Sequence, residues 1–459
     1  MGSASSARRG DVLQGPEAVV AGATWLAAMP RPSPRWNEPP PALPSSPVTP
    51  HLLLPERATT APESLAEYRQ RGGYQGLTAA TAKGAAWLRG EVTTSLLRGR
   101  GGASFPTARK WELAAQANSA DKFVVANGGE HEPGSHKDRH LVARHPHAVL
   151  EGLVLAGLAT GANRGYLYLI EDMTAQQASA EHALQEASAA GLLPFPITIH
   201  KGPTTYVAGE ETAALNAIEG KPAKPRKKPP FPGEAGLFGK PTTVNNTETL
   251  AHVAWIARHG GAAFAAIGTA ASKGTLLFTL PDGAHGVQRP GVYEVPFGTT
   301  YRQLLDHCGG GLPPGRTLRA LLPAMSSAFL SAAHLEVPIG YETLLPLGTS
   351  PGCGGVRLVT EATDTVALTL EIAEFFMREQ CGQCPPCRME TNQFVHILKG
   401  VQQRKGPGYA EKLQKLAEFS RKKGFCSLIE MAAAPVVSAL QLFAADFAAA
   451  AGPAAPESN

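Results

Sequence analysis

Cys381, Cys384 and Cys387 stand at C-x2-C-x2-C spacing, and a fourth cysteine, Cys426, follows in Gly424-Phe425-Cys426-Ser427. Three close thiolates plus a remote fourth suit a [4Fe–4S] cluster. Zinc competes, because four-cysteine zinc sites also use C-x2-C spacing, although they more often pair two separated doublets. Thiols that merely pack are disfavoured, since Gly382, Pro385 and Pro386 would interrupt a packed helix. Arg388 supplies positive charge that would lower thiolate pKa and offset the charge of a cluster.

A second stretch, residues 98–111, is rich in glycine and cations. Gly99, Gly101 and Gly102 would let backbone N–H groups approach a phosphate, with Arg100, Arg109 and Lys110 as counter-charge. Phe105 and Trp111 offer flat apolar surfaces for a ring. The wording is neither a Walker A motif nor a G-x-G-x-x-G fingerprint, so a mobile surface loop explains it as well as a nucleotide cradle. Asn245 and Asn246 either hydrogen-bond a polar heterocycle or phosphate, or cap the helix that follows.

These groups need elements to hold them. An apolar run at 123–126 ends in Asn127-Gly128-Gly129-Glu130-His131-Glu132-Pro133-Gly134, a strand-then-polar-turn arrangement that α/β folds use for ligands. Helical patterns at 79–87, 92–97, 147–160 and 175–190 accompany strands at 166–170 and 197–200. Gly209-Glu210-Glu211-Thr212 opens a helix to 218, and another spans 250–258. That alternation predicts an α/β core over 64–265. Short strands at 275–280, 291–295 and 356–359 around a helix at 300–308 predict a β-grasp-like module over 266–362. Helices at 366–378, 390–398, 409–422 and 429–450 predict a helical domain over 363–452, with the cysteines at helix ends. Residues 1–63 read as a disordered proline-rich extension and 453–459 as a tail.

The chain has 459 residues, 43% hydrophobic and 17% charged, enough for two or three domains with real cores. A net charge of +4 is too weak a bias to imply nucleic acid, and the basic run 221–228 reads as a solvated loop. Six cysteines do not make a disulfide framework and fit a reducing compartment. No apolar run is long enough to span a bilayer, and the segment 19–29 lacks the layout of a signal peptide. The expectation is a cytoplasmic protein without direct membrane insertion, peripheral to a membrane complex if attached to one.

Four motifs occur in order: Gly99-Arg100-Gly101-Gly102-Ala103-Ser104-Phe105-Pro106-Thr107, Glu130-His131-Glu132-Pro133-Gly134-Ser135-His136-Lys137-Asp138-Arg139, Gly209-Glu210-Glu211-Thr212, and the cysteine triplet with Arg388. Over about residues 65–450 the chain resembles the NADH-oxidising, FMN-bearing subunit of respiratory complex I and related NAD-linked diaphorase subunits of formate dehydrogenases and hydrogenases. The resemblance implies hydride transfer from NADH to FMN and single-electron transfer to a [4Fe–4S] cluster on Cys381, Cys384, Cys387 and Cys426. It assigns Gly99, Arg100, Gly101, Gly102 and Lys110 to the flavin, and Asn127, Glu130, Tyr206, Gly209, Glu210, Glu211, Asn245, Asn246 and Thr249 to its pocket. Phe105, Phe231 and Lys228 match positions beside the dinucleotide, where Glu132 and Glu211 are the acids. It further implies a thioredoxin-like [2Fe–2S] partner subunit and a larger iron–sulfur or catalytic subunit.

Three departures from the family wording stand out. Gly129 replaces a common acidic residue and His131 a small one, Leu113 stands where some relatives have an aromatic, and 324–329 lacks glycine-rich wording. Together they mark a divergent member and suggest a paralogue with another electron partner. The rival reading is a structural or assembly paralogue that keeps the cluster but has lost NADH oxidation. The acids near the dinucleotide predict a preference for NADH over NADPH.

Overall fold

The structure, a computed structural model, describes residues 51–55, 61–283, 286–405 and 407–453. Four parallel strands, β1 (Phe123–Asn127), β2 (Arg164–Ile170), β3 (Ile197–Gly202) and β4 (Thr242–Asn246), form one sheet in the order β3-β2-β1-β4. Side chains alternate across a strand, and here both faces are apolar. Val124, Ala126, Leu167 and Leu169 join one core, while Phe123, Val125, Tyr168 and Val244 join another. A sheet buried on both faces needs cover on each. Helices Pro146–Thr160 and Thr247–His259 cover the first face, and Glu211–Ile218 covers the second.

Pro146–Thr160 is buried on almost every side. It crosses Thr247–His259 at Gly152, where a Cβ would come within 2.0 Å of the Leu250 carbonyl oxygen. Each fully buried leucine or valine at this crossing contributes roughly 1.5–3 kcal/mol. The strand β4 was not expected from its polar wording. It forms because it pairs in register with β1, setting Asn246 opposite Asn127. The helices expected at 79–87 and 92–97 are Gln75–Lys83 and Ala85–Ser95, divided at Gly84, whose φ of +87° no helix accommodates.

The extension read over 1–63 falls mostly outside the described residues, but 51–55 belong to the packed fold. Leu52 and Leu53 are buried, and the N–H groups of Leu52, Leu53 and Leu54 all donate to the Glu294 carboxylate. Glu63 is also buried, bonded to Arg71 and beside His145.

The β-rich module pairs β5 (Thr275–Leu280) antiparallel to β6 (Gly291–Pro296). A second sheet sets β7 (Leu318–Leu322) between β8 (Leu330–Ser331) and β9 (Arg357–Thr360). Phe278, Tyr301, Leu321 and Leu358 share their core, a β-grasp-like arrangement. The helical domain consists of Thr365–Glu379, Pro385–Gln402, Tyr409–Ser420, Leu428–Leu442 and Ala444–Ala451. The single helix expected at 429–450 is two, bent by 87° around Phe443. Among the described residues no single helix is long and apolar enough to cross a membrane, and the bent pair contributes to the helical core.

Candidate functional site

The glycine-rich loop leaves helix Ala85–Ser95 and closes on itself, Gly99 N donating to the Phe105 carbonyl at 2.9 Å. Its arginine is not the counter-charge the sequence suggested. The Arg100 side chain is buried, donating to the carbonyls of Thr275 (3.0 Å), Arg98 (2.9 Å) and Lys273 (2.6 Å), with its cation 4.9 Å from the Phe297 ring. It pins the loop to the β-module, while its N–H donates to Thr249 Oγ1 at 2.8 Å. Among the described residues, the N–H groups of Gly101 and Gly102 have no acceptor within the protein. Gly101 lies against Asn246, its added Cβ falling 3.3 Å from that residue's Cβ. Helix Thr107–Gln116 starts directly after the loop, so unsatisfied N–H groups and a helix start lie together, a setting suited to an anion. Trp111, expected as a ring surface, is instead fully buried, and its Nε1 donates to Asn245 Oδ1 at 2.8 Å.

The C-terminal ends of β1 and β4 supply the neighbouring wall. Asn127 Nδ2 donates to the Gly209 carbonyl (2.9 Å) and its Oδ1 accepts from Gly129 N (3.0 Å). Asn246 takes the capping role: its Oδ1 accepts from Glu248 N, and its Nδ2 donates to Asp138 at 2.7 Å. Glu130 is buried and accepts from Ser135 Oγ and from the N–H groups of Asp138 and Arg139, starting helix Lys137–Arg144. Burial and the nearby Asp138 raise its carboxyl above the ordinary range. Sequence reasoning passed over Lys137, which is fully buried between Asp138 and Glu248, each at 2.9 Å. Burial works against its charge, but the surrounding carboxylates hold the ammonium protonated. Its local wording is that of a surface cation, and the burial follows from Glu248, which arrives from a distant helix.

An ion-pair chain borders the loop. Lys110 Nζ is 3.0 Å from Glu211, and Lys228 Nζ is 3.3 Å from Glu211 and 2.8 Å from Glu210. Burial opposes the Glu211 charge, yet the two lysines outweigh it and hold the carboxyl at about 2. Glu210 also caps helix Glu211–Ile218 through Thr212 N and Ala213 N. Phe231 is 37% exposed at the start of Pro232–Ala235, a turn that packs near Leu113. Phe105 is half-buried in the loop.

Glu132 and Tyr206 tie three modules together. Glu132 accepts from Ser326 N (3.1 Å), Ser326 Oγ (3.0 Å), Tyr206 OH (3.1 Å) and the Cys353 thiol, and burial raises its carboxyl. Tyr206 N donates to Glu379 at 2.8 Å, and its ring lies edge-on to Phe375 and Phe376 of the helical domain. Ser326 falls in the segment whose wording departed from the family, and it supplies two of these donors.

Gly129 and His131 account for each other. A Cβ at Gly129 would lie 2.9 Å from Tyr168 Cε1 and 3.2 Å from His131 Nε2, so the histidine ring occupies space next to the glycine. His131 Nδ1 lies 3.1 Å from the Thr204 carbonyl, and burial lowers the ring to about 4, leaving it neutral.

The four cysteines line one small cleft, walled also by Val207 and Pro225 from the α/β domain. Cys381 follows helix Thr365–Glu379, and Cys384 precedes Pro385–Gln402. Pro385 and Pro386 occupy the first turn, where no N–H partner is lost, and Cys426 lies just before Leu428–Leu442. Burial pushes the Cys426 thiol up to about 12, and Glu210, Cys381 and Cys384 push the same way. Burial and the other three sulfurs raise Cys387 likewise. As thiolates these groups repel, so they fit a polynuclear cation holding them together. Phe425 N–H donates to Cys384 Sγ at 3.2 Å, a backbone bond suited to a ligating sulfur. Among the described residues no three Cys, His, Asp or Glu side chains are arranged for one metal ion, as tetrahedral zinc would need. Four cysteines around one cleft match the ligand count of a four-iron cluster.

Comparison with known proteins finds a matching family model in each of the three modules. Family models for the Nuo51 FMN-binding domain match residues 92–255, the SLBB domain 285–321, and the NADH-ubiquinone oxidoreductase-F iron-sulfur binding region 367–450. An NADH-quinone oxidoreductase F subunit of Rhizobium meliloti, the one numbered 2, is 38% identical, covering 84% of this chain and 94% of its own. The NADH-quinone oxidoreductase F subunit of Escherichia coli is 36% identical, covering 88% and 93%. A crystal structure of an NAD+-reducing [NiFe]-hydrogenase in the H2-reduced state superposes with a TM-score of 0.76 at 32% identity, covering 86% of this chain and 68% of that one. With its FMN-binding and [4Fe–4S] regions both matched, the chain belongs to the family of NADH-quinone oxidoreductase F subunits.

Proposed function

We propose that the main chain at Gly99–Gly102 and the Lys110 ammonium receive the FMN phosphate, with Asn127, Gly209 and Asn246 shaping the rest of the pocket. The dinucleotide then lies beside Phe105 and Phe231, with Lys228 facing its negative charge. The protein is an NADH dehydrogenase subunit, a diaphorase module using FMN and a [4Fe–4S] cluster. When bound, these groups take a hydride from NADH and pass its electrons on singly. No side chain has to move a proton, so the chain's contribution is position: the loop and the helix start hold the flavin, and buried helix ends hold the cluster.

One observation carries this reading. In the turn Tyr206–Gly209 the Gly209 carbonyl accepts from Asn127 of the proposed flavin pocket, while Val207 lines the cysteine cavity. A single turn of chain borders both redox sites, which suits electron transfer between them. The lost-activity alternative is not favoured by relatives named as oxidoreductase subunits.

The chain is a subunit of a multi-subunit oxidoreductase of the complex I or NAD-reducing hydrogenase kind. A thioredoxin-like [2Fe–2S] subunit and a larger iron–sulfur or catalytic subunit are its proposed neighbours, in the cytoplasm or at the edge of a membrane complex. Steady-state NADH oxidation by FMN- and cluster-loaded protein, with a one-electron dye as acceptor, tests the reading. Turnover supports it; loaded protein that binds NADH without turning over sinks it.

A further inference from the structure

The loop that presents Lys228 and Phe231 also touches the cysteine cavity. Pro225, buried and three residues before Lys228, lines that cavity. Its carbonyl accepts a hydrogen bond from Gln383 Nε2 at 2.9 Å, and the same Nε2 lies 3.5 Å from Cys381 Sγ. Chemistry fixes the orientation of this amide: turned over, it would set its carbonyl oxygen against two acceptors. Gln383 stands between the ligands Cys381 and Cys384, just after Gly382 turns the chain at φ +81°. One side chain therefore bridges a ligating sulfur and the dinucleotide loop.

Hydrogen bonds to ligating sulfurs help set a cluster's potential, because they stabilise the more negative, reduced form. Whatever moves Pro225 changes how Gln383 is shared between that carbonyl and Cys381. The peptide that bears the Pro225 carbonyl is tied to the acids at Lys228, because Arg226 N–H donates to Thr212 Oγ1 and that hydroxyl donates to Glu210. Arg226 is fastened to Asn216 and Glu219 and to the Gly236 carbonyl, while Lys228 spans Glu210 and Glu211. An anionic dinucleotide reaching Lys228 competes with those two carboxylates, and a change at Glu210 reaches the Pro225–Arg226 peptide through Thr212.

We propose that Gln383 is a positioning residue that makes the reduction potential of the cluster depend on whether the dinucleotide site is filled. The proposal rests on Lys228 and Phe231 belonging to that site. Electron acceptance by the cluster then responds to whether product NAD+ has left. The neutral amide is well matched to this role, since it donates to both partners without adding charge.

The test is a redox titration of the cluster followed by electron paramagnetic resonance, on holo-protein with and without saturating NAD+. NAD+ binding is followed independently through its effect on flavin fluorescence. In the wild type the midpoint is expected to shift when NAD+ binds. Gln383→Leu should lower the midpoint without NAD+ and lose the shift while still binding NAD+. Gln383→Glu, which replaces the donor with a negative acceptor, should lie lower still. Gln383 is exposed, so both variants are expected to fold, and cluster absorbance checks their loading. An equal shift in the leucine variant, or bound NAD+ without a shift in the wild type, overturns the proposal and leaves the site assignment standing. Failure of NAD+ to bind the wild type overturns the assignment itself, and the proposal with it.

Discussion

Lys110 Nζ stands 3.0 Å from one oxygen of Glu211, and Lys228 Nζ approaches the other at 3.3 Å. One carboxylate thus holds two ammonium groups from separate elements. The acid is balanced and does not act as a bare repulsive charge, so the preference for NADH depends on how much of that balance an extra phosphate would disturb. Glu211→Gln leaves the two cations in excess and is expected to raise the NADPH-to-NADH ratio of kcat/KM by about tenfold, a change of ~1.4 kcal/mol. Unchanged kinetics with both nucleotides would remove Glu211 from the dinucleotide site.

The same pairing makes a pH prediction. The folded carboxyl sits at about 2, against an ordinary value of 4.5. A depressed folded value stabilises the fold above the ordinary pKa and is lost as pH falls from about 4.5 toward 2. Acid unfolding of Glu211→Gln, followed by circular dichroism, should therefore be less steep in that window than in the wild type.

Trp111 and Asn245 supply a test of the scaffold beneath the loop. Trp111→Phe removes the indole donor and leaves Asn245 Oδ1 buried without that bond, costing about 1–3 kcal/mol. Chemical denaturation should show that loss, together with weaker FMN retention. Full stability would mean that the bond has little weight in the fold.

Gly129 and His131 should behave as a coupled pair. Gly129→Ala places a methyl 2.9 Å from Tyr168 Cε1 and 3.2 Å from His131 Nε2, an overpacking expected to cost ~1–3 kcal/mol. Adding His131→Ser should recover part of that loss. Additive losses in the double variant would show that the two positions are independent.

Cys426→Ser removes the ligand that arrives from a separate segment. The broad iron–sulfur absorbance should fall while the flavin bands persist, because Cys426 lines the cysteine cavity and not the glycine loop. Loss of both chromophores together would contradict the separation of the two sites.

Spacing and periodicity made the cysteine set, the strands β1 to β3 and the three-part architecture readable from sequence. Local patterns act over a few residues, and these features are local. What escaped was set by partners far away in the chain. β4 is polar in wording and becomes a strand through its register with β1. Arg100 is spent on carbonyls at Lys273 and Thr275, and Trp111 on Asn245, more than a hundred residues distant. Lys137 has the wording of a surface cation, yet it is buried because Asp138 and Glu248 converge on it. Segment 51–55 has the wording of the extension, yet three consecutive N–H groups in it donate to Glu294.

The most direct test of NADH oxidation through flavin and cluster is an anaerobic visible spectrum of the purified holo-protein before and after NADH is added. Flavin bands over a broad iron–sulfur absorbance are expected, both bleaching on NADH. Flavin and cluster present together, with no bleaching, would contradict that chemistry.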